Sequence, residues 1–232
     1  NNSSEQMYRS MIKDLNIYEA CKINKIKKLI TLGNFHAFPK NIKKGLKEEM
    51  LHGNLPTNIH LGVGWSKRSL PIYNQVYQRD TETKYITLFS PNVYGPHDTL
   101  DKNLGHIIPS LIIKCLKKKN FKMYGGLNAL REFIFVDDLV EIILRCLIKL
   151  NSSDFYIINS PDKIKINILL KKIIKYTNFE KKIIFEKIIN DSSKRYSSSN
   201  KLKKFIKYNY NFNLDDGLKE TINWYKHKLN VK

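Results

Sequence analysis

Residues 85–98 read YITLFSPNVYGPHD. Tyr85 to Phe89 form a near-continuous run of β-branched, aromatic and apolar residues. That is the pattern of a strand covered on both faces, as in the middle of a parallel sheet. Ser90 to Asp98 then supply two prolines, a glycine, an asparagine and an aspartate, the composition of a loop. In open parallel sheets ligands bind beyond the carboxyl ends of the strands, so the loop that begins at Ser90 is where binding chemistry is expected.

Working outward, Lys28 to Leu32 (KLITL) reads as a second short buried strand, ended by Gly33. Glu5 to Asn24 reads as a helix with Met7, Met11, Leu15 and Tyr18 on one side. A long loop runs to about Leu61, punctuated by Pro39, Gly45, Gly53 and Pro56, and Trp65 to Arg79 is expected to be helical despite Pro71. Helix, strand, helix, strand is the alternation of a parallel sheet with helices on its faces. Beyond an irregular stretch from Pro91 to Gly105, helices are expected over His106–Lys118, Asp137–Lys149, Lys165–Tyr176 and Asp215–Leu229. Strands are expected over Phe121–Tyr124, Phe133–Val136, Phe155–Ile158 and Ile183–Glu186, with a polar loop at Asp191–Asn200. Asp137 and Asp138 are expected to cap the helix they open.

With 232 residues, 42% of them hydrophobic, the chain can bury a substantial core. No run of about 18 apolar residues suggests a membrane span, no secretory leader is visible, and the first residue, Asn1, points to an incomplete N-terminus. Cys21, Cys115 and Cys146 are scattered and match no metal-ligand spacing, so reduced thiols, a cytoplasmic setting and no metal are expected. The net charge of +20 raises the possibility of nucleic acid or an anionic membrane as partner. The lysines, however, are spread along a chain also rich in Asn and Ile, without an RNA-binding aromatic motif or zinc-finger spacing. The basic nucleic-acid-binding protein is therefore the weakest reading, and a phosphate-bearing small substrate suits the charge better.

Three stretches in order carry a resemblance: SPNVYGPHD (Ser90–Asp98), HIIP (His106–Pro109) and REFIFVDDL (Arg131–Leu139). Together they resemble the extended short-chain dehydrogenase/reductase superfamily of NAD-dependent epimerases and dehydratases. GPHD, with a histidine twelve residues after Tyr94, is most similar to the GDP-L-fucose synthases, NADPH-dependent enzymes that convert GDP-4-keto-6-deoxymannose to GDP-L-fucose. The resemblance implies a Rossmann-type NAD(P)-binding domain over residues 1–98 and 132–160, and a smaller α/β nucleotide-sugar domain over 99–131 and 161–232. It places NADP(H) against Leu32, Gly33, Asn34, Phe35, Lys67, Ser90, Pro91, Asn92, Val93 and His106. It gives the substrate's diphosphate and sugar to Lys114, Tyr124, Arg131 and Arg195. Arginine suits that task because its fork of N–H donors matches phosphate oxygens.

The same resemblance exposes what has changed. The family's serine position is Asn34, its assisting cysteine is His36, and its Tyr-x-x-x-Lys pair falls on Val63 and Lys67 of LGVGWSKR. Valine cannot transfer a proton, and losing a positioned general acid costs roughly 100- to 10,000-fold in rate. His36 and His106 remain as candidates for proton chemistry. The G-x-x-G-x-x-G cofactor fingerprint is absent from the sequence, so the expected fold is a truncated Rossmann-type parallel sheet with KLITL at an open edge. The resulting expectation is a nucleotide-sugar epimerase/reductase, impaired as it stands, working as a homodimer or with a complementing N-terminal half. Its alternatives are a non-catalytic binding relative and an enzyme of UDP- or dTDP-sugars.

Overall fold

The computed structural model describes residues 3–39, 44–56, 60–101, 106–186 and 193–231; the side chain of Tyr124 lies outside this description. Two compact units emerge. The first is Asn1–Pro91 with Glu141–Asn159 and Arg195–Asn209; the second is Asn92–Val140 with Ser160–Lys194 and Tyr210–Lys232.

In the first unit, β1 (Lys28–Asn34), β2 (Lys84–Ser90) and β6 (Asp154–Ile157) form a parallel sheet in the order β1-β2-β6. The register runs from Lys28 opposite Lys84 to Asn34 opposite Ser90. YITLF is the central strand, buried from Tyr85 onward, because both of its edges are paired and both faces covered. β1 is less covered, and its Leu32 is 44% exposed. It has one strand neighbour among the described residues, the open edge that its sequence led us to expect.

The helix α1 (Ser3–Ile23) buries Asp14, Tyr18 and Cys21. Tyr18 stacks on Tyr85 at 5.1 Å, and its hydroxyl donates to Asn74 Oδ1 at 2.5 Å. Asn74 in turn donates to Thr87 Oγ1 on β2 at 3.0 Å. This chain of bonds satisfies polar groups that would each cost about 1–3 kcal/mol if buried unpaired.

The expected single helix over 65–79 is two: α2 (Leu61–Arg68) and α3 (Leu70–Asp80). Pro71 explains the break. It has no N–H for the carbonyl four residues back, and its ring suits the first turn of a new helix. The loop at 191–200, described from 193, is also more ordered than its composition suggests. It contains β9 (Lys194–Arg195), and Ser197 bridges to Leu46. The buried Glu48 carboxylate accepts from Ser199 Oγ and, at 2.9 Å, from the Ile157 N–H.

In the second unit β3 (Asn92–Tyr94) runs parallel to β5 (Leu130–Phe135), and β7 (Asp162–Lys165) runs antiparallel to β5. β4 (Phe121–Tyr124) pairs with β8 (Ile183–Glu186). α4 (Ile107–Leu116), α6 (Ile166–Thr177) and α7 (Leu214–Lys228) pack a core that includes Ile112, Leu169, Ile173, Leu218 and Tyr225. α5 (Val136–Lys149) begins in this unit and ends in the first. Asp138 does not cap α5 as expected. Its buried carboxylate accepts the backbone N–H groups of Asn211 and Phe212, at 2.8 and 3.2 Å. β3 and β7 were not expected: one is three residues long, and the other, DKIK, buries Ile164 alone.

Candidate active site

In the first unit the chemistry gathers where β1 ends. Asn34 closes the strand, and its side chain accepts the His36 N–H at 3.0 Å, capping a short 3₁₀ turn at Phe35–Ala37. The amide oxygen is thereby engaged within the chain. Phe35 points into a core cluster with Phe38 and Phe89. The turn is fixed from a second side by the buried Arg68, whose Nε donates to the Ala37 carbonyl at 2.6 Å. Gly64 lets α2 approach it: a Cβ there would stand 2.6 Å from the His36 carbonyl oxygen.

His36 meets two further groups. Arg195 NH1 lies 2.6 Å from His36 Nδ1, and the His60 ring stands 4.1 Å from the His36 ring, centroid to centroid. A guanidinium can only donate, so Nδ1 accepts and neutral His36 carries its proton on Nε2. His60 opens α2, one turn before Val63. Burial, and then the charge of Arg195, holds its pKa below the ordinary histidine value. Arg195 reaches this place because the segment after it is tied to Leu46, by Leu46 N–H to Tyr196 O at 2.8 Å and Ser198 N–H to Leu46 O at 2.9 Å.

Val63 is half-buried and brings no proton. Lys67, one turn further along α2, pairs with Asp14 of α1 at 3.4 Å, with side-chain exposures of 19% and 8%. Ser90 and Pro91, beside Asn34 at the end of β2, are buried.

In the second unit Asn92 Nδ2 donates to the Glu132 carbonyl at 3.0 Å, which locks the start of β3 to β5, and Val93 is half-buried there. Arg131 forks onto one residue: NH1 donates to Ser193 O at 2.9 Å and NH2 to Ser193 Oγ at 3.1 Å, with a further bond to Leu130 O. His106 stands at the N-cap position of α4 without a side-chain capping bond and is exposed, with Nδ1 3.2 Å from Asp98 Oδ2. Lys114 ends α4 over the Phe121 ring at 5.7 Å. Tyr124 falls on β4, and its side chain is outside the described residues.

The structure thus brings Asn34, His36 and Arg195 together and sets Lys67 against Asp14. The sequence reading missed His60, Asp14, Asp98 and Ser193. Of these, Asp98 lies inside GPHD, and His60 stands three residues before Val63, a helical turn that could have drawn attention to it. Elsewhere, a cavity of about 1070 Å³ lined by Lys22, Lys27, Arg79 and Lys84, among others, opens at the opposite, N-terminal ends of β1 and β2. Among the described residues no group of three or more His, Cys, Asp or Glu could hold a metal ion, and no helix is long and apolar enough to cross a membrane.

Parallel strands with polar residues gathered where they end define a Rossmann-like α/β protein. The NAD dependent epimerase/dehydratase family matches residues 1–159, and the chain belongs to that family. It is 25% identical over 248 residues to GDP-L-colitose synthase of Yersinia pseudotuberculosis, covering 99% of this chain and 77% of that protein. It is 27% identical over 217 residues to GDP-L-fucose synthase of Dictyostelium discoideum, covering 90% of this chain and 68% of the relative. The crystal structure of a GDP-L-fucose synthetase from Naegleria fowleri bound to NADP superposes with a TM-score of 0.88 at 22% identity. That superposition covers 99% of this chain and 72% of the other.

Proposed function

We propose that this chain is a nucleotide-sugar epimerase/reductase-like protein of the GDP-L-fucose synthase kind, with its reductive step impaired. The observation that carries the reading is the end of β1, where Asn34 Oδ1 accepts the His36 N–H and Arg195 lies against His36, at the two positions that the resemblance gives to the family's serine and cysteine. The similarity to GDP-sugar enzymes over 90% or more of the chain supports it.

In this reading the first unit is the dinucleotide-binding one and the second takes the nucleotide sugar. The residues fit the nicotinamide end of NADP(H): Leu32–Phe35 and Ser90–Pro91 sit side by side at the ends of adjacent strands. The cofactor, when bound, supplies hydride. Lys67, which the resemblance gives to the cofactor ribose, would share its ammonium between that ribose and Asp14. For the second unit the resemblance implies cofactor roles at Asn92, Val93 and His106, and substrate roles at Lys114, Tyr124 and Arg131. The partner at the β1 edge is a complementing strand, and the assembly is a homodimer or a pairing with a complementing half.

Val63 and the Lys67–Asp14 pair favour a second reading, a non-catalytic relative that binds the nucleotide sugar. One experiment separates the two. The double variant Asn34→Ser, Val63→Tyr restores the family's hydroxyls. With GDP-4-keto-6-deoxymannose and NADPH it should turn over roughly 100- to 10,000-fold faster than the parent chain. A folded double variant no faster than the parent would contradict the placement of Asn34 and Val63 in the reaction.

A further inference from the structure

The cavity of about 1070 Å³ at the N-terminal ends of β1 and β2 belongs wholly to the first unit. Its rim is pinned by hydrogen bonds. Lys84 N–H donates to Lys27 O and Ile26 N–H to Cys21 O, each at 3.0 Å, and the buried Thr83 hydroxyl donates to Ile26 O at 2.6 Å. Five cations and two carboxylates line it. α1 and α3 both end here, and the partial negative charge of a helix C-terminus accounts for Lys22 and Arg79 in their last turns. It does not account for Lys25, Lys27 and Lys84, which lie outside both helices. Lys22 pairs with Asp80 at 3.5 Å. The other four cations make no ion pair among the described residues, and they share the cavity with one remaining carboxylate, Glu82.

We propose that this cavity is a binding site for a polyphosphate chain, at the end of β1 and β2 opposite to the candidate active site. The ligand class follows from the donors. Two helix C-termini offer carbonyl oxygens rather than N–H groups, so the backbone provides no cradle for a lone phosphate. Ammonium and guanidinium groups supply the attraction, and both suit phosphate oxygens. Each such exposed contact is weak by itself, so the site selects an anion that spans several of them at once. Three or more linked phosphates do so, and a single phosphate does not. The volume lies at the upper end for small-molecule sites and admits a nucleoside triphosphate as well as the bare chain. The site does not depend on the nucleotide-sugar reading.

The test is calorimetric titration with sodium tripolyphosphate at low and high salt. One site per chain is expected, with an affinity that falls as salt rises and is unchanged by saturating GDP. Lys27→Glu with Arg79→Gln should abolish binding. The chain is basic throughout, so Lys171→Glu with Lys181→Glu, at exposed positions of the second unit, is the control and should bind as the parent does. Lys25 has a φ of +50°, a conformation that favours glycine. Lys25→Gly should therefore raise Tm while weakening binding by up to about fivefold, which separates loss of the site from loss of the fold. ATP binding tighter than tripolyphosphate makes a nucleoside triphosphate the source of the ligand; ATP binding no tighter makes it the free chain. A folded parent that does not bind tripolyphosphate, an equal affinity for inorganic phosphate, cavity variants that bind like the parent, or a control that weakens as much as they do would each overturn the site and leave the functional reading standing.

Discussion

Gly64→Ala is the sharpest probe of the packing that builds the candidate site, because two known effects oppose each other there. In an exposed helix, glycine to alanine gains about 1 kcal/mol from backbone entropy and propensity. Gly64 is buried, and a Cβ at that position would stand 2.6 Å from the His36 carbonyl oxygen and 2.7 Å from Pro56 Cβ. The first of these atoms is backbone, held by the Asn34 cap and by Arg68 at Ala37, so it cannot swing aside as a side chain tip would. Overpacking of this kind costs about 1–3 kcal/mol. Because the clash is with held backbone, the cost prevails, with a net loss of up to about 2 kcal/mol, which for a chain of this size lowers Tm by up to about 8 °C. Thermal unfolding followed by circular dichroism reads the sign directly. A Gly64→Ala variant with a raised Tm would mean that α2 does not press on the 35–37 turn, and the account of how His36 is held would be wrong.

Asp14→Ala should destabilise by about 1–3 kcal/mol, because it strands the mostly buried Lys67 ammonium, and Lys67→Met added to it should recover part of the loss in chemical denaturation. Lys172 and Tyr176 hold the Asp215 carboxyl below its ordinary value of 3.8. Its stabilisation is therefore complete above that value and lost as pH falls through the lowered one. Asp215→Asn should accordingly be less stable than the parent at pH 7, with the two converging on acidification below about pH 4, measured by urea midpoints. The three thiols should resist alkylation in the native chain, since all are buried and burial raises Cys115 to about 11 and Cys146 to about 12. Thiol titration before and after denaturation checks this, and rapid native labelling would contradict the packing around them.

Much of the fold was legible because its signals are local. The apolar runs at 28–32 and 85–89 read as strands, though only the second is buried as expected, because β1 lies at the sheet's edge; the amphipathic stretches of α5, α6 and α7 read directly as helices. β3 and β7 escaped because a ladder of three or four residues with one buried side chain carries no periodicity; β5 supplies the pairing that makes them strands. Asn34, His36 and Arg131 were named in the sequence because each lies on a motif. The site's partnerships were not legible. Lys67 finds Asp14 across 53 positions and His36 finds Arg195 across 159, and no spacing announces either contact. Arg131 illustrates the remaining gap. The resemblance reserves this forked cation for a ligand, and in the folded chain much of its fork is directed at Ser193.

If the proposed reading is right and this chain recognises a GDP-linked sugar, calorimetric titration with GDP, with UDP as the control, should show GDP-selective binding that is weakened in Arg131→Ala. A folded chain that binds neither nucleotide, or binds both alike and without regard to Arg131, would contradict it.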